Sequence, residues 1–176
     1  MKTTFVVTVT CPDRPGIVNE VSRIVLAHGA SWQQSRMVRL GGVFAGLIRV
    51  EVDADRAAAL VRELQTLGRD GMSVTAREAR PEDRYAGWRP LRLVLSGADH
   101  EGIVQGVAQF LAEKRVNVEE LVTDLVPAPF AGGPLFSAEA KLRCPPEVTT
   151  GELRGKLAEL GASLGVEMEI EESSGR

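Results

Sequence analysis

The chain has 176 residues, 44% of them hydrophobic and 26% charged, which fits a soluble globular protein. Its formal net charge of −3 weighs against non-specific nucleic-acid binding, which needs an excess of Lys and Arg to neutralise phosphates. No apolar run approaches the ~20 residues of a membrane helix, and the scarcity of aromatic residues leaves the core to aliphatic side chains.

Thr4 to Thr10 alternates and is rich in β-branched residues, which predicts a strand. Pro15 then stands near the first turn of a helix, where its missing N–H costs nothing. Ile17, Val18, Val21, Ile24 and Val25 make one helix face. His28-Gly29 ends that helix, since Gly takes the left-handed cap conformation readily and a histidine suits the C-terminal dipole. Ser31 to Leu40 is a second strand, Gly41-Gly42 a hairpin turn and Val43 to Val52 a third strand. Asp53 to Leu67 is a helix with Ala57, Leu60, Val61, Leu64 and Leu67 on one face, and Met72 to Ala79 is a fourth strand.

The order then repeats. Leu91 to Ser96 is a strand, and Ile103, Val104, Val107, Phe110 and Leu111 reproduce the spacing of the first helix face. Val116 to Val126 and Leu135 to Leu142 are strands joined by a Pro/Gly loop over 127–134. Thr149 to Leu164 is a helix with Leu153, Leu157, Leu160 and Leu164 on one face, and Val166, Met168 and Ile170 alternate as the last strand. Two β-α-β-β-α-β units predict an α+β protein of two ferredoxin-like domains, each an antiparallel four-stranded sheet covered by two helices. The expected domains are 1–80 and 91–172, with a linker at 81–90 and a frayed tail at 173–176. In this plan the second strand is a sheet edge. Its polar residues, Gln33, Gln34 and Arg36 or Glu119 and Glu120, either protect that edge by charge or sit beside the other repeat.

The repeat is sharpest at the first loop of each unit. Val9-Thr10-Cys11-Pro12-Asp13-Arg14-Pro15-Gly16-Ile17-Val18 aligns without a gap on Leu95-Ser96-Gly97-Ala98-Asp99-His100-Glu101-Gly102-Ile103-Val104. Gly16 lets the backbone approach closely, and the helix start offers N–H groups that favour an anion such as a carboxylate. Asp13 could accept hydrogen bonds from an ammonium group, which together would make a receptor for a free amino acid. Alternatively Asp13, like Asp99, is an N-cap.

Other chemistry is poorly supported. His100 and Glu101 are not shared by the first loop and lack a nucleophile–base–orienter set, so no catalytic residues are expected. No His/Cys/Asp/Glu set has metal-ligand spacing, and no phosphate-cradling glycine motif occurs, so no metal or cofactor is expected. Cys11 and Cys144 fall at unmatched repeat positions, which excludes a repeated disulfide framework, and Cys11, with no histidine near it in sequence, is expected to be a buried or inert thiol. The N-terminal residues enter a strand with no signal-peptide pattern, and a cytoplasmic location is expected. Residues 1–86 carry 12 Lys+Arg against 10 Asp+Glu, net +2, and residues 87–176 carry 9 against 14, net −5. That split suits either a solvated surface or attraction between the halves or to a basic partner.

On these two loops the chain resembles the ACT domain, in two copies that span nearly its whole length. The tandem arrangement is similar to the glycine cleavage system transcriptional repressor family. The first loop also resembles the leading ACT segment of formyltetrahydrofolate deformylases, whose catalytic domain has no room here. The resemblance implies binding of an amino acid, glycine first, where two ACT units meet. It implies no enzyme activity, a possible homodimer, and an effect on transcription of glycine cleavage genes through a protein partner. No direct contact with nucleic acid or membrane is implied. The alternative is a regulatory subunit of an amino-acid or one-carbon metabolism enzyme. Carried over by position, the ligand-binding residues are Asp13, Arg14, Pro15, Gly16 and Ile17, with Asp99, His100, Glu101, Gly102 and Ile103 in the second copy. Ala98 and Glu101 stand where the first copy has Pro12 and Pro15, so two equal sites are not implied.

Overall fold

A computed structural model of the protein describes residues 1–79, 84–127 and 133–173. Parts of the expected linker, of the 127–134 loop and of the tail therefore lie outside the described residues. Contacts divide the chain into two compact units, Met1–Glu82 and Asp83–Arg176.

In the first unit, strand β1 (Lys2–Pro12) leads into helix α1 (Ile17–Ala27), followed by the β2 (Ser31–Leu40) and β3 (Val43–Asp53) hairpin. Helix α2 (Ala54–Thr66) passes through a 3-10 turn over Leu67–Asp70 into β4 (Ser73–Glu78). The second unit repeats this as β5 (Arg89–Ala98), α3 (Ile103–Glu113), β6 (Asn117–Val126), β7 (Leu135–Cys144), α4 (Thr150–Leu164) and β8 (Val166–Glu172). Strand orders are β2-β3-β1-β4 and β6-β7-β5-β8, and every pairing is antiparallel. This is the ferredoxin-like plan in duplicate. Gly41 and Gly42, with φ of 57° and 80°, make the tight turn of the first hairpin, where any side chain would be strained.

Alternation sets the layers. Val7, Val9 and Cys11 of β1 and Ile48, Val50 and Val52 of β3 point into the core with Ile17, Val21, Ile24 and Val25 of α1 and Leu60 and Leu64 of α2. The second core falls into two clusters. Leu91, Leu93, Leu111, Leu142, Leu153 and Leu157 anchor the larger, and Leu95, Ile103 and Val166 make the smaller. Val18 and Val104, expected on the buried helix faces, are 44% and 45% exposed, because they lie one position round the helix from the stripe that meets the sheet.

The edge strands β2 and β6 each carry a register shift that the sequence did not announce, between Trp32 and Gln34 and between Val118 and Glu120. The glutamates there pair within their own sheet, Glu119 with Arg143 at 2.9 Å and Glu120 with Lys141 at 3.2 Å.

Candidate ligand-binding loops

The two loops are built alike. Each leaves the first strand of its sheet and turns through a left-handed glycine, Gly16 at φ 96° or Gly102 at φ 95°, into the first helix. An L side chain in this conformation is strained. A Cβ on Gly16 would meet only the Glu20 carboxylate, at 3.7 Å, and one on Gly102 would meet nothing, so the glycines serve the backbone turn rather than a close approach. The Asp N–H ties each loop to the neighbouring hairpin: Asp13 donates to the Gly42 carbonyl at 2.8 Å and Asp99 to the Pro134 carbonyl at 3.2 Å.

The N-cap alternative for Asp13 and Asp99 does not hold. Gly16 and Gly102 occupy the N-cap positions, and neither helix start receives a side-chain cap. The first N–H groups of α1 and α3 therefore remain available to an anion. The Asp13 carboxylate instead forms an ion pair with Arg39, Nε to Oδ2 at 2.8 Å, a partner contributed by edge strand β2. Asp99 has no ion pair among the described residues and is exposed.

The remaining predicted residues divide by what their side chains already do. Arg14 forms a two-pronged pair with Glu20 of α1, at 2.5 and 2.7 Å, and this hydrogen bonding holds the Glu20 carboxyl below its usual range. His100 directs Nδ1 at the Glu101 carbonyl, 2.9 Å away, and Nε2 at the Leu164 carbonyl, 2.6 Å away. Those backbone contacts, Glu101 first, raise its pKa above the ordinary histidine value. Its ring pins the loop to the end of α4 and is committed to structure rather than to acid–base chemistry. Ile17 and Ile103 are buried, so on the loop surface only their backbone N–H groups are presented. Pro15 and Glu101 are exposed at the loop surface.

The ACT domain family matches residues 3–77. The fold of that segment recurs in the second unit, strand for strand, with the same glycine turn. The chain is a tandem ACT-domain protein. A protein of unknown function from Galdieria sulphuraria is similar to it over 99% of this chain and 100% of its own, at 32% identity and a TM-score of 0.87. The fold of a candidate glycine cleavage system transcriptional repressor is also similar, over 99% of both chains, at 20% identity and a TM-score of 0.70. No curated protein matches the chain.

The tandem ACT protein keeps its other histidine and its cysteines out of these loops. His28 caps α1 and meets Glu63 of α2 at 2.6 Å. Both cysteines are free and buried, and burial pushes the Cys144 thiol up, away from the reactive thiolate. Arg39 and Glu20 were missed as loop partners in the sequence. Arg39 becomes one only through the β2–β3 register, which local pattern does not state, whereas Glu20 lies on the α1 turn facing the loop.

Proposed function

We propose that this tandem ACT protein is a non-enzymatic sensor that binds a free amino acid at its glycine-turn loops and passes the signal to a protein partner. The observation that carries this reading is the duplicated loop itself: an uncapped helix start beside an aspartate, held in one geometry in both domains. N–H groups at a helix start suit a carboxylate, and an aspartate suits an ammonium group. Cytoplasmic control of glycine cleavage genes through a DNA-binding partner is the output that the resemblance favours, with glycine the first ligand to try. The ligand acts by binding one arrangement of the protein better than another.

The test is a thermal-shift and calorimetric screen of the common amino acids, since a ligand of the native state raises the melting temperature by mass action. Asp99 is the freer acceptor of the two aspartates. Asp99→Ala is expected to weaken binding by the value of a charged hydrogen bond, about 1.5–3 kcal/mol, or roughly ten- to a hundred-fold. Asp13→Ala is expected to cost less affinity, because Arg39 already occupies that carboxylate. Unchanged affinity in a folded Asp99→Ala protein removes the aspartate from the site.

A further inference from the structure

The two ACT domains carry one fold over differently filled cores. Strand register matches them position by position: Val118 stands where the first domain has Trp32, Thr123 where it has Met37, and Ala140 where it has Ile48. In the first domain Trp32 and Met37 pack against the cluster that contains Ile48, closing the space between helix and edge strand. In the second, Leu121 in place of Ser35 and Ala138 in place of Gly46 return only part of that bulk. A cavity of about 50 Å³ remains under α3. Leu93, Val107, Leu111, Val118, Leu121 and Ala140 line it, and Thr123 is its single polar side chain. It opens past Val104, Val118 and Leu121, which are 45%, 39% and 50% exposed.

Water in so apolar a space finds too few partners, so an apolar group gains by filling it. The free volume suits one small branched group. Ile103 and Val104, which line the cavity, directly follow the loop of Asp99 and Gly102. That loop presents a carboxylate without an ion pair among the described residues and a helix start without a side-chain cap. A free amino acid has a group for each of these three features. An aliphatic side chain protruding from a partner protein would fill only the cavity.

We propose that the cavity under α3 is the side-chain subsite of an amino acid held at the second domain's loop, and that this ligand is branched and aliphatic. The inference rests on the amino-acid-binding reading above. It points away from glycine, which has no side chain to place there, and away from the first domain, where Trp32, Met37 and Ile48 stand at the equivalent positions.

Calorimetry on the full chain with glycine, alanine, valine, isoleucine and leucine tests this. Each buried carbon is worth roughly a fourfold gain in affinity, so leucine is expected to bind about 50-fold tighter than alanine. Ala140→Ile, which restores the first domain's residue, is expected to remove that gain while leaving the weaker alanine binding. Thr123→Met, at an exposed position on the edge strand, is expected to do the same and serves if Ala140→Ile does not fold. Glycine or alanine binding as tightly as leucine overturns the subsite and leaves the amino-acid reading standing. Undiminished leucine affinity in the folded variants does likewise. If none of the five amino acids binds, both are overturned.

Discussion

His100 replaces Arg14 of the first loop and solves the same mechanical problem differently. Arg14 ties its loop forward to α1 through Glu20, whereas His100 ties its loop to the last carbonyl of α4, Leu164, and to Glu101. A neutral imidazole has one N–H, and two facing carbonyls are both satisfied only by the imidazolium. The end of a helix also favours that positive charge. Hydrogen bonding to Glu101 and then Leu164 raises the pKa, desolvation opposes it, and the charge of Asp99 adds to it. The folded-state pKa thus exceeds the unfolded one. The stabilisation is complete below about pH 6.5, the ordinary histidine value, and fades as pH rises through the raised value. The melting temperature is expected to fall over that window, and His100→Gln to flatten the fall. The difference between wild type and variant isolates His100. Equal slopes in the two proteins place the pH dependence elsewhere.

At the scale of the element, the repeats use different residues where α1 and α3 end. The first helix closes through Gly29 at φ 63°, and the second holds Arg115 at φ 56° in the matching place. A left-handed L residue costs roughly 1–2 kcal/mol, against about 0.5–1 kcal/mol of extra chain entropy lost by glycine. Arg115→Gly is therefore expected to stabilise the second domain by about 0.5–1 kcal/mol, seen as a melting rise of a few degrees. A lower melting temperature would show that the arginine makes up its strain through other contacts. The end of α1, like the strands, could be read from the sequence, because alternation, i to i+4 spacing and glycine placement are local signals, whereas Arg115 at the end of α3 carries no glycine signal. The matched shifts in β2 and β6 could not, since a bulge is a relation between two strands. Asp13 was misread as a possible cap for the same reason: its partner Arg39 reaches it only through the hairpin register. The cavity escaped because it depends on Val118, Thr123 and Ala140 meeting across that register.

At the scale of the whole molecule, each buried cluster draws on a single unit, the first from Val7 to Met72 and the others from Leu91 to Ile170. A domain of this size buries enough surface to fold alone, though with little margin. The first has one continuous core closed by Trp32 and Met37. The second has two clusters, a cavity, and a strained residue at the end of α3. Empty space forfeits dispersion contacts that a filled core would make. Separate expression of residues 1–82 and 83–176 is therefore expected to give two folded fragments, each with a cooperative melt, and the second is expected to melt at the lower temperature. Scanning calorimetry of the fragments and the full chain checks both parts. A first fragment without a cooperative transition would show that it cannot fold alone. A second fragment that melts above the first would show that its cavity and strained helix end are outweighed elsewhere in its packing.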